Sequence, residues 1–234
     1  AFGIPALAGP EGAQVVNGDV RITRNGNSTV IQASNNSIIN YRSFDIGRNE
    51  SVRFVQPNSS SRVLNRIDAA NPTRIDGNLT ANGRVYFVNP AGVYFGQGAV
   101  VNVAGLYAGA AQITNQAFLR NMNQFTNASG SVVNEGTIIG EFVGLVGKSV
   151  INRGSIVAPQ GAVVMGAGND VLIGEGGGNV YVRVSGEAQV KAGEAAAVVN
   201  TGTIEAGKVR AGVGDVYGAA LFNAGAIRAR STRL

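Results

Sequence analysis

One short pattern occurs four times in the second half of this sequence. Asn134-Glu135-Gly136-Thr137-Ile138 is echoed by Asn152-Arg153-Gly154-Ser155-Ile156. It returns as Asn200-Thr201-Gly202-Thr203-Ile204 and as Asn223-Ala224-Gly225-Ala226-Ile227. The pattern is N-x-G-[TSA]-I, with offsets of 18, 48 and 23 residues. A recurrence of about 20 residues, with the long middle interval read as two turns, defines a solenoid. A unit of that length cannot bury its apolar side alone, so it must stack on its neighbours.

Composition decides which solenoid. A leucine-rich repeat needs about five Leu per repeat, and the whole chain holds 9 Leu in 234 residues. It holds 31 Val, 34 Gly and 24 Asn instead. That mixture suits an all-β solenoid, the parallel β-helix, in which short strands stack coil on coil about 4.8 Å apart. Val and Ile form the inward ladders. Gly and Asn are expected at the corners, because both tolerate left-handed backbone angles. Asn134, Asn152, Asn200 and Asn223 are expected as structural turn residues, and Asn side chains in such coils can stack in register and exchange amide hydrogen bonds from one coil to the next. At about 20 residues per coil the chain forms on the order of ten coils, about 45–50 Å of solenoid.

The first coil of a solenoid exposes backbone groups and an open core, so a cap is needed. The stretch 11–35 alternates as strands and contains the turn signals Asn17-Gly18 and Asn25-Gly26-Asn27. It is read as antiparallel hairpins. The organisation expected is therefore residues 1–35 as cap strands and 36–234 as coils of a single domain. The run from Gln116 to Gln124 is the only plausible helical turn. No cap is seen after Ile227, so a longer native chain is expected.

Several functions are disfavoured. Cys and His are absent, which removes disulfides, thiolate chemistry, the commonest general base and the commonest transition-metal ligand. No cofactor or metal is expected. The net charge is +5, but the Arg residues are scattered singly like a solvated face, without the basic stripe of a nucleic-acid binder. No run reaches the roughly 18 apolar residues of a membrane span. The start at Ala1 fits a chain after signal removal, and a monomer is expected.

Sharper readings have blander rivals. Gly166 to Gly174 resembles one calcium-binding nonapeptide, but calcium needs carboxylates from successive repeats, and a β-helix corner is the better reading. Gly212 to Gly218 has the wrong spacing for dinucleotide binding and reads as a turn. Asp68, Arg74 and Asp76 are the candidates if the solenoid cleaves acidic polysaccharides, yet such chemistry needs acids converging in a groove. Tyr41, Tyr86, Tyr94 and Tyr107 would make an adhesive patch if exposed; packing along a ladder is the plainer expectation.

The segment from about 39 to 108 carries a resemblance. Asn40-Tyr41-Arg42-Ser43-Phe44-Asp45-Ile46-Gly47, then Gln56-Pro57-Asn58, then Val63-Leu64-Asn65-Arg66-Ile67 follow in order. Gly77 to Gly83, Val88-Asn89-Pro90-Ala91-Gly92-Val93 and Val101 to Ala108 complete the series. Together they resemble the two-partner secretion domain of filamentous-haemagglutinin-like exoproteins. Two departures stand out: the family's N-P-N-G-I is Asn89-Pro90-Ala91-Gly92-Val93, and its N-P-N-L is replaced by Gln56-Pro57-Asn58.

The resemblance implies a right-handed β-helix at the N-terminus of a larger secreted or surface exoprotein. It implies a partner, an outer-membrane transporter with periplasmic transport domains, across which the chain passes unfolded before folding outside. It places recognition and folding on Gln56, Pro57, Asn58, Asn65, Asn89, Pro90, Gly92 and Val93. The alternative is an adhesive β-helix that contacts host-cell or matrix ligands directly.

Overall fold

The computed structural model describes residues 9–176, 179–216 and 218–234. Residues 1–8, the expected start of the cap, and Tyr217, within the expected 212–218 turn, lie outside the described residues, as do Gly177 and Gly178.

The chain winds as a three-sided right-handed parallel β-helix. The first face stacks eight strands: Ser28–Ala33, Ser51–Val55, 78–81, 100–103, Thr137–Ile139, 155–158, 203–206 and 226–229. The second stacks Ser37–Tyr41, Arg62–Ile67, 84–88, 105–109, Phe142–Gly147, 162–167, 208–213 and 231–233. The third stacks Thr73–Ile75, Val93–Phe95, Ser131–Asn134, Ser149–Asn152, Val198–Asn200 and Leu221–Asn223. Several strands, such as Asn78–Val88, run round the corner between the first two faces, with a register break between Ala81 and Arg84. Among the described residues there are thus eight coils where the sequence suggests about ten.

The difference has two sources, both insertions that leave the helix. Asn152 lies directly beside Asn200 in register, so the 48-residue interval is a single coil. The surplus leaves the helix as a hairpin, Asp170–Gly176 with Asn179–Ser185, followed by the segment 186–197. The nonapeptide-like stretch therefore opens a hairpin and is not a corner. A second insertion, 110–130, contains the helix Asn115–Leu119, capped by the Thr114 hydroxyl, and the strand Asn123–Phe125. Asn123–Phe125 pairs antiparallel with Asp170–Gly176.

Burial follows alternation. Val63, Val85, Phe87, Leu106, Val143, Val163 and Val209 point into the lumen with Ile138, Ile156 and Ile204. The outer side of the second face is also apolar: Leu64, Tyr86, Tyr107 and Phe142 pack under Phe118, Phe125, Val171 and Ile173 of the two insertions. That face is therefore sandwiched between two cores.

At the start, Gln14–Asn17 pairs antiparallel with Ser37–Tyr41, and Val20–Asn25 forms a hairpin with Ser28–Ala33 around Gly26. Ser28–Ala33 also pairs in parallel with Ser51–Val55, so this strand joins the cap to the first coil. Asn17-Gly18 is a turn, with Gly18 at φ 83°, but the strands it joins pair with other partners.

Candidate functional site

The resemblance places the recognition elements in residues 36–95, on eight residues from Gln56 to Val93. In the fold the eight residues fall on two corners, one in the second coil and one in the third, and on the strand Arg62–Ile67. Gln56-Pro57-Asn58 turns the second coil from its first face to its second. The Asn58 Oδ1 accepts from the Ser60 amide at 3.1 Å, the Ser60 hydroxyl at 2.7 Å and the Ser61 hydroxyl at 3.0 Å, a side-chain-made turn of the kind Asn favours. Gln56 is buried; its Nε2 donates to the Ser61 carbonyl at 2.8 Å. Its backbone exchanges two hydrogen bonds with the Asn82 side chain, at 2.8 and 2.6 Å. That amide pair ties the second coil to the third.

Asn89-Pro90-Ala91-Gly92-Val93 turns the third coil from its second face to its third. Asn89 is fully buried. Its Nδ2 donates to the Asn71 carbonyl at 3.0 Å and the Thr73 hydroxyl at 3.1 Å, and its Oδ1 accepts from the Ala91 amide at 3.0 Å. The Gly92 amide closes the turn on the Asn89 carbonyl at 2.9 Å. Gly92 sits at φ 133°, and a Cβ there would come 3.0 Å from the Ser131 carbonyl, so glycine is required on both counts. Pro90 accepts at its carbonyl from the Ser129 hydroxyl at 2.8 Å. Val93 begins the next strand, buried beside Thr73 and Val132.

Asn65 is fully buried in the strand between the corners, in register with Phe87. Its Nδ2 donates to the Tyr86 carbonyl at 3.1 Å, while its Oδ1 has no protein partner. The two motifs occupy different corners of different coils, so they do not converge on one surface. Of the eight residues, Pro57 and Asn58 are exposed, Pro90 is half-buried and the other five are buried. Beside Pro90 a groove of about 670 Å³ is lined by Asn40, Arg42, Arg66, Asp68 and Gln112.

The four repeat asparagines form one line of amides, with Asn134, Asn152 and Asn200 buried in the lumen and Asn223 at its exposed end. Asn134 Nδ2 donates to Asn152 Oδ1 at 2.8 Å, Asn152 to Asn200 at 2.7 Å, and Asn200 to Asn223 at 2.6 Å. The glycines two residues on are needed for a different reason from the one read in the sequence. None of Gly136, Gly154, Gly202 and Gly225 has positive φ. A Cβ on Gly154 would sit 2.1 Å from the Gly136 carbonyl, and one on Gly202 2.1 Å from the Gly154 carbonyl. Close approach of successive backbones excludes a side chain, and left-handed geometry plays no part. Left-handed non-glycine residues occur instead at Asn36, Asn121 and Asn127.

Three of the four tyrosines proposed as an adhesive patch are buried. Tyr86 and Tyr107 stack at 4.2 Å between the helix and the insertions, and Tyr41 packs edge-on against Phe44 inside the lumen. Burial pushes the phenols of Tyr41 and Tyr86 well above the ordinary range. Tyr94 is half-buried under the Arg74 guanidinium, 4.4 Å from its ring centroid, and donates to Glu135 at 2.6 Å. The Arg74 side chain is bound to Asp76 at 2.6 Å, while Asp68 lines the groove beside Arg66. Among the described residues no group of three or more acids assembles as a metal site.

Two arginines contradict the expectation of a solvated face. Arg62 is 8% exposed, and Arg66 is half-buried against the 110–130 insertion. Nothing in their local sequence marks them, because four of their six partners arrive from about 50 residues further on.

Gln56-Pro57-Asn58 and Asn89-Pro90-Ala91-Gly92-Val93 thus each make a corner of a capped parallel β-helix. The chain belongs to the TPS secretion domain family, whose model matches residues 6–233. It is 37% identical over 172 residues to the heme/hemopexin-binding protein of Haemophilus influenzae strain Rd, covering 68% of this chain and 19% of that protein. A second heme/hemopexin-binding protein from Haemophilus influenzae is 42% identical over 94 residues, 39% of this chain and 10% of that one. The chain thus spans about a fifth or less of these relatives.

Among solved structures, the HMW1 secretion domain from Haemophilus influenzae superposes with a TM-score of 0.75 at 29% identity, over 87% of this chain and 56% of that one. The filamentous hemagglutinin secretion domain shares the fold, with a TM-score of 0.56 at 14% identity over 94% and 99% of the two chains. Secretion domains of this family belong to exoproteins that cross the outer membrane to the cell surface or the medium. The family is one of secretion domains and not of enzymes.

Proposed function

We propose that this domain addresses its exoprotein to a cognate outer-membrane transporter while the chain is extended, and that it nucleates β-helix folding once outside. The observation that carries this reading is the burial of Gln56, Asn65, Asn89, Gly92 and Val93 in the folded domain. Side chains held inside the lumen and under corners cannot be read by a partner after folding. They can be read from an extended chain that adds as a strand to a sheet edge, where main-chain bonds give affinity and alternate side chains give specificity. The same residues then close two corners and start the coil stack, on which each finished coil templates the next.

No cofactor and no nucleic acid enters this reading, and the domain acts as a monomer. The chain up to residue 35 acts as the cap, with Ser28–Ala33 shared between it and the first coil, and the coils from residue 36 onward act as the templated stack. Co-expressing the chain with and without its transporter tests the addressing role. The expected result is export only with the transporter. Export of equal efficiency without it would overturn the proposal.

A further inference from the structure

We infer that Arg62 and Arg66 form a socket whose closure on the later segment 113–121 commits the first coils to the folded state. This rests on the nucleating role proposed above and assigns it to particular residues.

The two arginines lie four residues apart on the outer side of Arg62–Ile67, in the second coil. They bracket the helix Asn115–Leu119. Arg66 holds its start, donating to the Ile113 carbonyl at 2.8 Å and Asn115 Oδ1 at 2.9 Å. Arg62 holds its end, donating to the Phe118 carbonyl at 2.9 Å and Asn121 Oδ1 at 2.7 Å. The guanidinium of Arg62 also lies 5.0 Å from the Phe118 ring centroid. From the first coil, Asn36 Oδ1 completes Arg62 at 2.6 Å and Asn40 Oδ1 completes Arg66 at 3.0 Å. Two of the three asparagines with left-handed backbone, Asn36 and Asn121, aim their carbonyl oxygens at the same guanidinium.

All these partners are neutral oxygens. Among the described residues neither arginine pairs with a carboxylate. The charge is therefore compensated only when the full set of oxygens is assembled. Two of the six oxygens, on Asn36 and Asn40, precede the arginines by 26 residues, and the other four stand 47 to 59 residues further along the chain. In a simple solenoid each coil touches only its neighbours. Here the helix leaves the fourth coil and reaches back over the third to the second. Closing it covers Leu64 and Tyr86, with Phe118 edge-on to Tyr86 at 5.2 Å. Until residue 121 is present, the second face of the first three coils is bare outside and both cations are open to water.

The hairpin repeats the move one stage later. It pairs with Asn123–Phe125, and its Glu175 meets Arg84 at 3.3 Å, the Tyr107 hydroxyl and Asn123. It docks on a segment that the socket has already placed, so the order is socket first, hairpin second.

Refolding and unfolding rates of the purified 234-residue chain test this without any transporter, so the outcome is independent of whether the transporter proposal holds. Arg62→Lys and Asn121→Ala are expected to slow refolding roughly five- to tenfold while changing unfolding less than about twofold. Arg153→Gln, in the later coils, is expected to accelerate unfolding only. Should Arg62→Lys fail to fold, the milder rim variant Asn115→Ala is judged by the same split. Unchanged refolding with faster unfolding in the socket variants would place the clasp after commitment and overturn the inference.

Discussion

Asn152 and Asn200 are 48 residues apart in sequence, yet their side-chain amides meet at 2.7 Å inside the lumen. Asn152 also accepts from Asn134 at 2.8 Å, so it is the middle link of a buried line. Replacing it with Ala leaves the Asn134 donor and the Asn200 acceptor unpaired in a dry interior. Asn152→Ala is expected to cost about 2–4 kcal/mol, whereas Asn223→Ala, at the exposed end, costs less than about 1 kcal/mol. Denaturant midpoints of the two variants measure the difference.

The corner glycines separate two reasons for using glycine. Gly202→Ala would place a methyl 2.1 Å from the Gly154 carbonyl, and forcing the coils apart is expected to cost about 3 kcal/mol or more. Gly26→Ala meets nothing within 4 Å but sits at φ 53°, so only backbone strain of about 1 kcal/mol is expected. Gly176→Ala meets neither obstacle and should leave thermal stability unchanged. Equal losses at Gly202 and Gly26 would mean that the repeat glycines are there for conformation after all.

High pH should unfold the domain through its phenols. Tyr41 and Tyr86 have pKa values raised by burial, against an ordinary value of about 10. For a group raised on folding, the stabilisation is complete below the unfolded value and is lost as pH rises above it. Stability should therefore fall above about pH 10. The tyrosinate absorbance of these two residues should rise together with loss of the β-sheet signal. Tyrosinate formation by all the tyrosines well before unfolding would contradict the burial.

Asn89 and Ala91 share one turn but not one importance. Asn89→Ala removes three hydrogen bonds from a buried corner and is expected to destabilise by about 2–4 kcal/mol. Ala91→Asn, which restores the family's third position, changes a half-buried residue whose backbone amide already donates to Asn89 Oδ1. Chemical denaturation should find it within about 0.5 kcal/mol of the parent.

Much of this was legible in residues. The N-x-G-[TSA]-I spacing announced stacking, the Val excess announced inward walls, and Asn25-Gly26 announced the cap hairpin. The coil number was not legible, because the Asn152–Asn200 interval matches two repeats in length while holding a hairpin that leaves the helix. Insertions break a period without saying which way they go. Arg62 and Arg66 were invisible for a related reason: four of their six partners lie 47 to 59 residues away, and only the back-folded helix brings these to them. The reason for the repeat glycines was misread because sequence reports a residue type and not the distance of the next backbone.

In the proposed addressing step the transporter reads this chain before it folds. The direct measurement is binding of the purified periplasmic part of the cognate transporter to the chain, once held unfolded and once fully folded. The expected result is saturable binding to the unfolded chain and none to the folded domain. Binding to the folded domain with equal or greater affinity would contradict the account, since Asn65 and Asn89 are then sealed inside the coils.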